Sequence, residues 1–301
     1  MSRTVNGEAW FGDSEKERLR RMIHQVADFS GIRVITYAVM KNHFHLLVEV
    51  SKDAEVTDKE LVRRYQVLYP KPTPWQPMRV DVLERTLAEG GRDARDLRES
   101  LLRRMNDISW LMKTLKQRFS VWFNQSRGRF GPVWSERFKS VLIEGDLSTL
   151  RTVAAYIDLN AVRAGICEDP KDYRFCGYGE ALGGGRRARE GLFLLGRDLA
   201  GYRQTLYGAG SRPQDGKQSI DRKTAVLILE NEKGSLPLST LLRCRVRYFT
   251  EGLALGSPEF LERAAASWNR SRIRKARPHP IPGLNSTRFS ALRGLHKDVF
   301  Q

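Results

Sequence analysis

The chain has 301 residues, 41% hydrophobic and 29% charged, which suits a folded protein of two modest domains or one domain with a large insertion. Lys and Arg number 52 against 35 Asp and Glu; the formal charge of +17 and isoelectric point near 10.1 point to a polyanionic partner, nucleic acid first. Three scattered cysteines (Cys167, Cys176, Cys244) exclude a disulfide framework or zinc knuckle and fit a reducing cytoplasm, and no run approaches the roughly 18 apolar residues of a membrane helix or shows a signal-peptide pattern.

The opening MSRTVNGEAWF has the pattern of the second half of a strand, as though its start lay upstream. Ser14 with Glu17 predicts a capping box for a helix to about Phe29, with Leu19, Met22, Ile23 and Val26 on one stripe and Gly31 at the end. GIRVITYAVM and HFHLLVEV, rich in β-branched and aromatic residues, predict an antiparallel hairpin turning at about Lys41-Asn42. Residues 52–95, with the Pro-rich YPKPTPWQPM, predict a helical insertion with a turn-rich middle. A longer helix follows from about Leu97 to Asn124, then a strand in RFKSVLIE. Asp146 caps a predicted helix from Leu147 to Ala164, ended by Gly165. The Gly- and Arg-rich GGGRRARE makes 183–217 an exposed linker, and 218–301 a mainly helical, basic accessory region whose tail from Arg270 has eight basic residues against one acidic. Residues 1–182 are the remaining domain. This order predicts an α+β fold with helices on one face of an antiparallel sheet.

Side chains alternate along a strand, so His43 and His45 share one face with Leu47 and Glu49, while Phe44, Leu46, Val48 and Val50 form an apolar face for the core. Two imidazoles about 7 Å apart at their Cα atoms can converge on one cation. A His-x-His pair is also produced by satisfied surface histidines, and it does not name a metal. On the later helix, Leu150, Val153, Ala154, Ile157 and Ala161 form the apolar stripe, and Thr149, Thr152, Tyr156, Asn160 and Arg163 a polar face. Tyr156 and Asn160, at i and i+4, are neighbours. A tyrosine hydroxyl, two imidazoles and an amide oxygen are the parts needed to cut a phosphodiester covalently.

Between 101 and 140 nine basic residues face two acidic ones, with seven aromatics interleaved. Basic groups track phosphates and aromatics stack on unpaired bases. Trp110, Phe119 and Trp122 are assigned to the core, and Arg127, Arg129, Trp134, Arg137, Lys139 and Arg163 to DNA contacts.

Three segments in this order, ITYAVMKNHFHLLVEV, MKTLKQRFSVWFNQSRGRFGPVWSERFKSVLIE and AAYIDLNAVRAGICEDPKDYRFCGYGEAL, resemble the REP-associated tyrosine transposases of the HUH superfamily, named for its His-hydrophobic-His motif. The resemblance covers about residues 3–182, and 220–262 looks like an extension of a longer subgroup. It implies a ferredoxin-like antiparallel sheet with the histidines on a central strand. Tyr156 would be the nucleophile, and His43, His45 and Asn160 would hold a divalent metal, Mg²⁺ or Mn²⁺. The implied activity is metal-dependent cleavage of single-stranded or hairpin DNA through a 5′-phosphotyrosine, followed by strand transfer, in a cytoplasmic, nucleoid-associated protein. Ala161 and Lys41 depart from the family, which usually has proline, and proline or a small residue, at these positions. A hairpin-DNA-binding protein that does not cut, and a HUH replication initiator or relaxase, are the alternatives; monomer and homodimer stay open.

Overall fold

The computed structural model describes residues 1–51, 55–71, 78–196, 199–210, 252–267, 278–280 and 290–292. It is α+β and divides into two compact units: residues 4–34 with 48–135, and residues 1–3 with 35–47 and 136–301. Most of the basic tail from Arg270 lies outside the described residues.

The first unit is helical: α1 (Asp13–Ser30), α2 (Asp58–Leu68), α3 (Val80–Glu89), α4 (Gly91–Leu102) and α5 (Ile108–Arg127). The α1 stripe is buried as its spacing predicts, with Leu19 and Val26 fully covered, and it packs on α5 and α2. Its start differs: Glu15 accepts the backbone N–H of Gly12 at 3.0 Å, whereas Glu17 binds Arg20 and Arg21. A carboxylate two residues nearer the first exposed N–H groups outcompetes one already held by arginines. Phe11 sits in the α1–α5 core with its ring edge-on to Phe119 and Trp134 at 5.2 and 5.7 Å.

The single helix expected from Leu97 to Asn124 is two. Asn106 adopts a left-handed φ of 52°, and Asp107 accepts N–H bonds from Ser109 and Trp110, capping α5. The insertion is helical as expected, and the buried Tyr65 hydroxyl binds the Met78 backbone.

The second unit holds a three-stranded antiparallel sheet in the order β1 (Ser2–Arg3), β3 (His43–Glu49), β2 (Arg33–Val39), so β3 is central. Arg3 pairs directly with His43. Around this sheet lie α6 (Leu147–Asp158), α7 (Asn160–Arg163), α8 (Gly177–Leu182), α9 (Arg186–Leu192) and α10 (Leu199–Gly210). Gly177 lets α8 close onto β2, because a Cβ there would lie 2.2 Å from the Thr36 hydroxyl oxygen.

Within the stretch expected to be a linker, the described residues are largely helical, over Arg186–Leu192 and Leu199–Gly210. Leu192, Leu195 and Leu206 are fully buried, and Gly183–Gly185 serve as a turn. The described part of the C-terminal region holds short strands beside one helix. β4 (Leu142–Ile143) pairs in parallel with β5 (Ala254–Gly256), which pairs with β7 (Ser290–Leu292), and β7 with β6 (Pro278–Pro280). α11 (Pro258–Ser267) covers this sheet through Leu261. Two- and three-residue strands are too short to show alternation.

One carboxylate ties this unit together. Asp158, fully buried, accepts hydrogen bonds from the Thr36 hydroxyl of β2, the Tyr178 N–H of α8 and the Tyr202 hydroxyl of α10. Burial pushes its carboxyl up to about 6, against those bonds. Asp158→Ala leaves three buried donors without an acceptor and should cost about 2–5 kcal/mol in urea unfolding. Asp158→Asn keeps an acceptor and loses the buried charge. The raised carboxyl makes the folded chain bind a proton that the unfolded chain releases between about pH 4 and 6. Wild-type stability therefore carries a component that falls as pH rises through that window, and the asparagine variant should lack it.

Candidate active site

His43 and His45 project from β3 with ring centroids 5.1 Å apart and planes at 83°. Nδ1 of His43 lies 2.7 Å from Asn42 Oδ1; donating there, the ring keeps its Nε2 lone pair available. The expected division of β3 into a core face and an open face does not hold. Phe44, His45 and Leu47 are all buried, Leu46 and Val48 are half-buried, and Val50 is exposed. The strand is central, and α6 brings Tyr156 against its histidine face.

Asp146 caps α6 by accepting the Thr149 N–H at 3.0 Å. The Tyr156 ring meets the His45 ring edge to face, 5.9 Å between centroids at 89°. The helix expected to reach Ala164 breaks at Leu159 (φ −81°, ψ 0°), and α7 restarts at Asn160. Asn160 repairs the break: its side-chain nitrogen donates to the carbonyls of Tyr156 (2.9 Å) and Ile157 (3.1 Å). Carbonyls only accept, so the amide nitrogen faces them and Oδ1 is left for a donor or a cation. Arg163 donates from Nη1 to the Tyr156 carbonyl at 3.0 Å, and its guanidinium lies 4.8 Å from the Tyr156 ring centroid. The face predicted as polar is covered by protein: Thr149, Thr152 and Tyr156 are all buried, Tyr156 to 3% exposure.

The electrostatics follow from that burial. It lowers His43 to about 4, helped by Arg3 and the N-terminal ammonium, and holds His45 well below the usual imidazole range. Both rings are therefore neutral at pH 7, the form that ligates metals. Burial pushes the Tyr156 hydroxyl up to about 12, opposed by the charges of Arg163 and Arg3, and brings Arg163 down to about 10. Two neutral imidazoles and an amide oxygen fit a divalent ion that tolerates nitrogen, Mn²⁺ better than Mg²⁺. Among the described residues no group of three His, Cys, Asp or Glu could hold a metal, so phosphate and water oxygens would have to complete the shell.

The structure brings His43, His45, Tyr156 and Arg163 together and holds Asn160 on the backbone carbonyl of Tyr156. In the second unit, Arg137 is exposed, while Lys139 binds Glu136 at 3.3 Å. In the helical unit, Arg127 is paired with Glu15, and Arg129 stacks over Trp10 at 4.1 Å. Trp134 belongs to packing, its ring against Phe11 and its Nε1 donating to the Lys116 carbonyl at 3.1 Å. Conversely, Trp110, assigned to the core, is 36% exposed under Lys113, and only Phe119 is fully buried as expected. Sequence reasoning missed Arg3, whose place beside His43 depends on strand pairing, and Asn42, whose position directly before His43 was a readable signal.

Residues 2–67 fit the family model described as "Transposase IS200 like", a segment that spans β1 to α2 and both histidines and ends before Tyr156. No curated protein and no solved structure matches the chain. Among the described residues no helix is long and apolar enough to cross a membrane. Across residues 2–67, then, the chain is similar to the IS200-like transposases.

Proposed function

We propose that the protein is a metal-dependent single-stranded DNA endonuclease and transposase that forms a 5′-phosphotyrosine intermediate, on a ferredoxin-like HUH fold. The observation that carries this reading is the packing of the Tyr156 ring on His45, beside His43. The Tyr156 oxygen attacks phosphorus, a Tyr–O–P bond forms, and the bond from phosphorus to the 3′ oxygen breaks. The tyrosine proton leaves to solvent, and the departing oxygen gains one to become a 3′-OH. The link keeps the phosphodiester's bond energy, so another 3′-OH can reverse it and complete strand transfer without a nucleotide cofactor.

His43, His45 and the Asn160 amide oxygen would hold the divalent ion, Mg²⁺ or Mn²⁺, which when bound supplies Lewis-acid polarisation of the phosphate. Arg163 contributes a charge over the Tyr156 ring that favours the phenolate, offsetting part of the burial that disfavours it. Single-stranded or hairpin DNA is the proposed substrate, with residues 218–301 as an accessory binding region. The burial of Tyr156 favours a second reading, a hairpin-binding protein that does not cut, and the first experiment below separates the two.

Incubated with a cleavable single-stranded oligonucleotide and Mn²⁺, the wild type should give a protein–DNA adduct that survives denaturation. Tyr156→Phe should give none. No adduct from wild type, with binding intact, would establish the non-cutting reading.

Calorimetric titration of the DNA-bound protein with Mn²⁺ should show a site weakened at least tenfold in the His43→Ala, His45→Ala double variant. DNA affinity without metal should change little, because phosphate contacts are made by other residues. Equal cation affinity in both proteins would remove the histidines from the metal site.

A further inference from the structure

Helix α5 ends in a turn built to hold one ring in water. Gly128 takes a left-handed φ of 56°, Arg129 N–H bonds the Asn124 carbonyl at 3.0 Å, and the Asn124 side-chain nitrogen donates to the Gly131 carbonyl at 2.9 Å. Gly131 has a φ of 96°, so both ends of the turn require glycine. A Cβ at either glycine would meet nothing within 4 Å, so the tip stands clear of its surroundings. At that tip Phe130 is 94% exposed, far more than any other large apolar residue described. Turn positions ordinarily carry polar residues, and a tied turn that presents a bare aromatic ring leaves its burial to a partner.

The neighbouring residue indicates what that partner is. The Arg129 guanidinium lies 4.1 Å from the Trp10 centroid and 5.6 Å from that of Phe123, and these two rings are themselves stacked at 5.9 Å. Arg127 is satisfied by Glu15, but among the described residues no carboxylate pairs with the half-buried Arg129, whose Nη1 is covered by protein without a hydrogen-bond partner. The turn thus offers a fixed cation with no carboxylate to balance it, one residue from an uncovered aromatic face. A second copy of a +17 chain would be repelled here, and an apolar protein surface would leave the arginine unmatched. A nucleotide matches both groups, its phosphate to the guanidinium and its base to the ring. In duplex DNA the base faces are already stacked, so the nucleotide must be unpaired.

We propose that Gly128–Gly131 reads one unpaired nucleotide of the bound DNA, Arg129 holding a phosphate and Phe130 stacking on a base. This rests on the DNA-binding reading above and adds a recognition element separate from the cleavage chemistry.

The test measures binding by the full chain in chelator, so that cleavage plays no part. The probes are a single-stranded oligonucleotide, a hairpin with an unpaired loop, and a blunt duplex. Phe130→Ala should weaken single-strand and hairpin binding about tenfold and leave the duplex within twofold. Phe130→Trp should retain affinity, and Phe130→Leu, apolar but without a ring, should lose it. Arg129→Gln should weaken binding and lower the slope of log affinity against log salt by about 0.7, the share of one single-strand phosphate, whereas Phe130→Ala should not change the slope. Full single-strand affinity in Phe130→Ala, or in Phe130→Leu, overturns the proposal. So does a fall from dimer to monomer in Phe130→Ala with DNA binding unchanged, which would make the ring a self-association contact. A wild type that binds none of the probes brings down the DNA reading itself, whereas a binding wild type with an indifferent Phe130 brings down only this proposal.

Discussion

The second unit depends on the buried carboxylate of Asp158. It accepts from a strand, a short helix and a long helix at once, and it sits two residues after Tyr156 on the last turn of α6. Hydrogen bonds of fixed length from three directions leave α6 little freedom to rotate or slide, so the Tyr156 ring is aimed at His45 by a residue that touches neither. A hydrophobic contact in the same place would resist separation but tolerate a turn about the helix axis. The directional acceptor does not, and its burial is the cost of that precision.

The break at Leu159 continues the same logic. A straight helix would bury the carbonyls of Tyr156 and Ile157 in its own ladder; ending it there frees them, and Asn160 and Arg163 take them up. One short stretch, Tyr156 to Arg163, therefore supplies the proposed nucleophile, the tether to the sheet, the amide and the charge over the ring. Asn160 serves both the helix end and the proposed metal site. Loss of function on its replacement would not by itself identify it as a ligand.

The site was more legible in the sequence than the fold around it. Alternation put His43 and His45 on one side of a strand, and the i, i+4 rule put Asn160 beside Tyr156; both are local relations that geometry fixes once the element type is known. What failed was everything set by distant partners. The polar face of α6 is buried because it meets a sheet, residues 186–195 and 199–207 are folded because their leucines reach a core, and β4 exists because residue 254 pairs with 142. The halt at Asn106-Asp107 was readable in retrospect, an N-cap residue before a new helix, but an unbroken run of helix formers on both sides outweighed it.

The covering of Tyr156, 3% exposed, has a kinetic meaning. A phosphate can reach the hydroxyl only in conformations that uncover it, so the observed rate is the intrinsic rate multiplied by the population of the open form. Each 1.4 kcal/mol of opening cost lowers that population roughly tenfold. DNA that binds the open form preferentially returns the lost factor, while DNA that binds both forms equally returns none of it. Under the proposed cleavage, the buried ring would turn substrate selection into a question of which strand can hold the protein open, and a polyanion that merely adheres to a basic surface would be left uncut.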